Sequence, residues 1–299
     1  MKKPCYLTTG DKIRIISPAG NISVKKASPG IELLQQEGFE VEVGNHVFDH
    51  YFQFAGTDKQ RLADLQEAFD DEYCKAIICS RGGYGTIRLI SELDFSKFLE
   101  NPKWLIGFSD ITVLHVALQQ LGFCSIHGPM PGFFIQKKDK TQSYTELIRI
   151  LKGHENRIVF PYSNNNRTGT AIGQAVGGNL SILYSLLGTP FEPDTNHKIL
   201  FIEDVGEYLY HIDRMMWSLK FAGKLERLAG LVVGSFTELK DNDFGQSVEE
   251  IIMDTVKGYN FPVCFNCPAG HISENQPIML GAEYSLEIDE TRTAFIRIL

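Results

Sequence analysis

Ser109 and Asp110 occupy a place where chemistry could begin. The apolar run from Trp104 to Phe108 is short, the Ser-Asp pair follows, and Ile111, Leu114, Leu118 and Leu121 then recur at helical spacing. A strand, a tight corner and a helix in that order can lift a serine hydroxyl clear of the sheet edge. The first unpaired N–H groups of the helix then point at whatever the hydroxyl attacks. Serine and aspartate are also the preferred N-caps of helices, so on this stretch alone nucleophile and cap both stay open.

A serine nucleophile needs a base, and the base needs an orienting acceptor. The histidines are His46, His50, His115, His127, His154, His197, His211 and His271. His115 lies inside a helical repeat, and His46 and His50 fall in a loop. His271 stands out because Pro268-Ala-Gly precedes it directly after a strand-like run, and a glycine there allows a sharp turn that presents the ring at the strand's end. Among the acids, Glu203 closes the apolar run that starts at Lys198. A carboxylate at the end of a buried strand needs a specific partner, and an imidazolium would be one. Asp204 and Glu207 have the alternative of capping the next helix, and Asp213 with Arg214 that of a surface ion pair.

Arg81-Gly82-Gly83-Tyr84-Gly85 also follows a strand-like run. It is not a complete dinucleotide fingerprint, because Arg88 stands where the third glycine belongs, and it lacks the Lys-Ser/Thr of a P-loop. Its glycines do permit close backbone approach and present N–H groups to a cleft, as an oxyanion hole requires. Cys264 and Cys267 form half of a zinc site with no second pair at the right spacing. The six cysteines read as buried small hydrophobes in a reducing compartment, and neither metal nor cofactor is expected.

The elements that must position these residues alternate. Strand-like runs begin at Asp11, Phe39, Lys75 and Trp104, with helical spacing over residues 31–38, 58–70, 86–93 and beyond Ser109. Such alternation predicts an α/β fold with a parallel sheet covered on both faces, whose working residues lie beyond the carboxyl ends of the strands. Residues 80–85 and Ser109-Asp110 both fall at such ends. Between residues 152 and 178 the composition turns to Asn, Arg, Thr, Gly and Ser, which predicts a first domain over 1–160, a linker over 161–176 and a strand-rich second domain over 177–299. Helices are expected at 212–221 and 247–257. A length of 299 residues suits two cores. The net charge of -8 argues against nucleic acid or an anionic membrane surface as partner. The N-terminal stretch has no apolar signal region and no run is long enough to span a bilayer, so a cytoplasmic protein is expected.

Taken together, five motifs resemble the LD-carboxypeptidase family of serine peptidases, which includes the muramoyltetrapeptide carboxypeptidases and the microcin C immunity proteins. They are Ser80-Arg-Gly-Gly-Tyr-Gly, Ile106-Gly-Phe-Ser-Asp-Ile-Thr, Gly177-Gly-Asn-Leu-Ser, Glu203-Asp-Val-Gly-Glu with its later His-Ile-Asp-Arg, and Pro268-Ala-Gly-His. Each alone is unspecific; all five occur in the family's order over nearly the whole chain. The resemblance implies a Ser-His-Glu triad carried across two domains, with Ser109 as nucleophile, His271 as general base, Glu203 as its orienting carboxylate, and the N–H groups of Gly83 and Asp110 as oxyanion hole. It further implies a Rossmann-like N-terminal domain, a β-rich C-terminal domain of swivelling-barrel type, pairing into homodimers, and release of the terminal D-alanine from murein tetrapeptides in peptidoglycan recycling. A carboxypeptidase must also hold a free carboxylate, for which Arg81 and Arg214 offer bidentate forks. Two alternatives stand beside this reading. One is an immunity-type hydrolase of aminoacyl-nucleotides, which calls for an aromatic surface such as Trp217; the other is a nucleotide- or peptide-binding module without catalysis, which requires Ser109, Glu203 and His271 to lie apart.

Overall fold

The computed structural model describes residues 1–240 and 243–298. In the first half, β1 (Lys12–Ile16), β2 (Glu40–Val43), β3 (Cys74–Cys79), β4 (Trp104–Gly107) and β5 (Ser125–His127) form a parallel sheet in the order β5-β4-β3-β1-β2. The helices between them are α1 (Val24–Gln36), α2 (Asp58–Asp70), α3 (Ser96–Glu100) and α4 (Thr112–Gln120). β4 is buried along its whole length, as a strand covered on both faces must be. A small hairpin of β6 (Ile135–Gln136) and β7 (Asp139–Lys140) and helix α5 (Gln142–Leu151) lead out of this half.

The second half adds β8 (Arg157–Pro161), β9 (Gly169–Asn179), α6 (Leu180–Ser185), β10 (Ile199–Val205), α7 (Leu209–Phe221), β11 (Gly230–Thr237), α8 (Val248–Val256), β12 (Val263–Cys264), β13 (Ile278–Leu280), β14 (Glu283–Ile288) and β15 (Arg292–Arg297). Seven of these strands make a second sheet in the order β12-β11-β10-β9-β14-β15-β8. β9 to β12 run parallel, and the β14, β15 and β8 pairings are antiparallel. Arg167, just before β9, exchanges backbone hydrogen bonds of 2.9 and 3.1 Å with Val263 of β12, tying the entry of β9 to that edge strand. β13 returns to the first sheet, antiparallel to β5. One apolar core accordingly joins both sheets through Trp104, Ile106, Phe201, Ile278 and Tyr284. The architecture is mixed α/β, with a parallel-rich sheet and a second, sheet-rich domain.

Three local expectations give way to packing. The helix expected from Ile31 starts at Val24, with Pro29 inside it. Proline withholds one hydrogen bond, but its neighbour Gly30 lies so close to the Pro131 backbone that a Cβ would come within 2.3 Å of the carbonyl oxygen, and that contact holds the turn in place. The helix expected over 86–93 is a single 3-10 turn, Thr86–Arg88, whose first N–H is capped by the Asp110 carboxylate. The stretch expected as linker over 161–176 is strand from Gly169 onward. Thr170 and Ile172 are the exposed positions of its first, alternating part, which pairs with β14, while β8, placed by the sequence in the first domain, pairs within the second sheet. Among the described residues, no helix is long and apolar enough to cross a membrane.

Candidate active site

The corner after β4 is built from backbone constraints. Gly107 closes the strand where a Cβ would sit 2.9 Å from Ile111, Phe108 is extended, and Ser109 turns at φ +66°. A left-handed conformation at a non-glycine residue costs about 1–3 kcal/mol and persists only where the surroundings impose it. Here the loop after β3 imposes it: a Cβ on Gly82 would lie 2.7 Å from Ser109 Cβ and 2.9 Å from its Oγ. Gly83 follows at φ +112°. The backbone N–H groups of Gly83 and Asp110 have no acceptor among the described residues. Neither Ser109 nor Asp110 caps α4 with its side chain. The buried Asp110 carboxylate instead accepts the Thr86 N–H at 2.8 Å, tying the glycine loop to the corner, and burial raises its pKa. Gly20 N–H donates to the Gly82 carbonyl at 2.9 Å, and the buried guanidinium of Arg61 donates to the carbonyls of Pro18 and Gly85. Arg61 thus staples two strand-end loops, a role the sequence reading missed. Its only sequence signal is a charge on the apolar face of α2.

The acid and the imidazole come from the second sheet. Glu203 is 0% exposed on β10, in a cradle of glycines: a Cβ on Gly270 would meet Glu203 Oε2 at 2.8 Å, and one on Gly234 would meet Glu203 Cβ at 3.2 Å. Its Oε2 accepts from His271 Nδ1 at 2.7 Å. That bond assigns the proton to Nδ1 and leaves Nε2 to accept another. Thr237 Oγ1 donates to the His271 carbonyl at 3.2 Å, and the ring packs edge-on against Phe108 with centroids 4.9 Å apart. Burial works against the imidazolium, but the bond and charge of Glu203, backed by Asp204 and Glu238, outweigh it and raise the His271 pKa above its ordinary 6.5.

Ser109 and His271 line one cavity of about 320 Å³, together with Gly82, Gly83, Arg81 and Lys26. Ser109 and His271 thus face one cavity, with Glu203 bonded to His271 from the second sheet. Arg81 lines the cavity with its guanidinium donating to the Asn21 carbonyl at 2.6 Å. Arg214 does not line it; it is exposed on α7, with its guanidinium 5.2 Å from the Tyr210 ring centre. Lys26, which the sequence reading did not single out, adds a second cation. Trp217 packs on Phe221 and Lys220 and does not line the cavity. A larger cavity of about 430 Å³, beside Ser235, Ser247 and Asn266, holds none of these groups.

The remaining candidates are structural. His115 is buried with Nε2 2.9 Å from the Gly107 carbonyl and Nδ1 2.8 Å from Ser125 Oγ, and burial brings its pKa down to about 4. Glu207 pairs with His211, and Asp213 forms no ion pair with Arg214 among the described residues. Cys264 and Cys267 are buried, with the Cys264 thiol pushed up to about 12 by burial. No group of three or more metal-binding side chains occurs among the described residues.

The chain also matches known proteins. The model of the LD-carboxypeptidase N-terminal domain matches residues 13–128, and that of the C-terminal domain matches residues 172–286. A probable murein peptide carboxypeptidase of Bacillus subtilis is 37% identical, over 98% of this chain and 94% of that protein. The crystal structure of muramoyltetrapeptide carboxypeptidase from Oxalobacter formigenes superposes with a TM-score of 0.87 at 29% identity, covering 96% of this chain and 98% of the other. MccF in complex with glutamyl sulfamoyl guanosine shares the fold, with a TM-score of 0.86 at 21% identity over 99% and 98% of the two chains.

Proposed function

This chain belongs to the LD-carboxypeptidase family, and from that premise we propose that it releases the C-terminal D-alanine of murein tetrapeptides, in the cytoplasm, during peptidoglycan recycling. The observation that carries the reading is the His271–Glu203 pair, bonded at 2.7 Å, facing the cavity that Ser109 lines. In this mechanism the Ser109 Oγ–H proton passes to His271 Nε2 as Oγ bonds to the scissile carbonyl carbon. The oxyanion accepts from the N–H groups of Gly83 and Asp110, which have no competing acceptor among the described residues. His271 then gives its proton to the departing D-alanine nitrogen as the C–N bond breaks. Water attacks the acyl-Ser109 ester with its proton going to the same imidazole, which returns it to Ser109. Glu203 keeps the ring oriented and stabilises its charged form throughout.

Arg81 is the proposed anchor for the substrate's terminal carboxylate, since it lines the cavity and Arg214 does not. The family resemblance also supports a homodimer, which light scattering on the purified protein would check. The test of function is to incubate the protein with L-Ala-γ-D-Glu-meso-diaminopimelate-D-Ala and follow D-alanine by mass spectrometry beside Ser109→Ala. Release by the parent and none by the variant supports the reading. Release by both removes Ser109 as nucleophile. Silence on this peptide with cleavage of an aminoacyl-sulfamoyl adenosine moves the assignment to the immunity-type activity.

A further inference from the structure

Two halves of the candidate machinery come from different sheets, and acyl transfer tolerates little error between them. A continuous run of side-chain hydrogen bonds joins them. Thr112 opens α4, one turn beyond Ser109, and its Oγ1 accepts the backbone N–H of Asn179 at 3.0 Å. Asn179 ends β9 opposite Glu203 in the β9–β10 register. Its Nδ2 donates to Asp204 Oδ1 at 2.9 Å, and Asp204 is the residue after Glu203 on β10. Asp204 also accepts the N–H groups of Val205 at 2.9 Å and Ser181 at 2.8 Å. All three side chains are at most 3% exposed. The glycines before Asn179 let the run close: a Cβ on Gly177 would lie 2.0 Å from the Phe201 carbonyl oxygen, and one on Gly178 would lie 2.5 Å from Thr112 Oγ1.

Helix capping accounts for only part of Asp204: its Oδ2 takes the Ser181 N–H of α6 beside the Ile182 N–H that Asn179 Oδ1 caps at 3.2 Å, but its bond from Asn179 Nδ2 serves no helix end. No Lys or Arg pairs with Asp204 among the described residues, and a buried carboxylate without a cation is costly to keep. We propose that Thr112, Asn179 and Asp204 are positioning residues, a strut that sets the Ser109 corner against the Glu203–His271 pair. The inference rests on reading Ser109 as the nucleophile, but not on the identity of the substrate.

The test follows the rate at which a fluorophosphonate probe modifies Ser109 in the full chain, by intact mass, against pH. D-alanine release and thermal unfolding are measured in parallel. Thr112→Val keeps the shape and removes the acceptor; it is expected to fold and to slow labelling by about 10- to 100-fold, the scale of a small misalignment of reacting groups. Thr112→Ser keeps the acceptor and restores the parental rate. Asp204→Asn weakens the acceptor that Asn179 Nδ2 and the Ser181 N–H share and is expected to slow labelling on the same scale; because burial and Glu203 push the Asp204 pKa up to about 7, its charge fades across the acid limb, which stays close to the parental position. A folded Thr112→Val labelled at the parental rate overturns the strut, as does a folded Asp204→Asn labelled at the parental rate. If Thr112→Val fails to fold, Asp204→Asn decides alone. A parent that is labelled but releases no D-alanine removes the substrate assignment and leaves the strut standing, whereas a folded parent that is never labelled removes both.

Discussion

The Ser109 corner and the Glu203–His271 pair are held by different physics. The corner is a matter of backbone: two short segments, residues 80–86 and 107–112, meet with glycines where a Cβ would collide and with Ser109 forced to φ +66°. The pair is a matter of burial and charge: an ion pair across 68 residues of chain, with a carboxylate wholly shielded from water. The contrast teaches that the corner should fail when atoms are added and the pair when charge is removed.

The strongest challenge to that contrast is Ser109→Ala, which removes the proposed nucleophile without adding atoms; D-alanine release should fall by about 10⁴-fold or more with the circular dichroism spectrum unchanged. Glu203→Gln keeps volume and removes charge. It should lower kcat by roughly 10²- to 10⁴-fold, and the acid limb of kcat/KM should move to lower pH because the main support of the imidazolium has gone. In the parent that limb should lie above the ordinary histidine value of 6.5, with activity rising as pH increases, since the raised pKa belongs to the protonated form and only the neutral ring accepts the serine proton. A parent limb below 6.5 would show that Glu203 does not govern His271.

Gly83→Ala probes the backbone side. At φ +112° an added methyl strains the loop and displaces one proposed oxyanion donor, so kcat should drop by about 10²-fold while KM changes little. Gly270→Ala instead puts a Cβ 2.8 Å from the Glu203 carboxylate and 2.4 Å from Ser235 Oγ, and should cost about 1–3 kcal/mol of stability in urea unfolding. The smallest difference separates two arginines: Arg81→Ala should raise KM by about tenfold, the scale of one charge-assisted hydrogen bond, and Arg214→Ala should leave it unchanged. Equal effects at both would mean that the cavity lining does not define the carboxylate site.

Much of this was legible because it is local. The strand end at Gly107, the apolar run carrying Glu203, the glycine loop and the Gly270-His271 turn each announce themselves within a few residues, although β10 runs on past Glu203 to Val205. Arg61 and Lys26 were not legible, since an arginine stapling loops and a lysine over a cavity look like any surface cation until the chain is folded. The strand at Gly169 was hidden for a related reason: its first residues alternate exposed Thr170 and Ile172 with small residues and glycines, and such a run reads as linker.

By itself the sequence determined the alternation of elements, the corner with its serine, and the residue types able to do acyl transfer, because apolar period and glycine placement act over short windows. Only the tertiary structure decided that Asp110 binds the Thr86 N–H and does not cap α4, that Arg81 and not Arg214 reaches the cavity, and that β13 crosses back to the first sheet. It also decided that Glu203 and His271 meet at 2.7 Å. Those outcomes follow from strand order, and strand order is set by which apolar faces can be buried together, a property of the whole chain that no window of it contains.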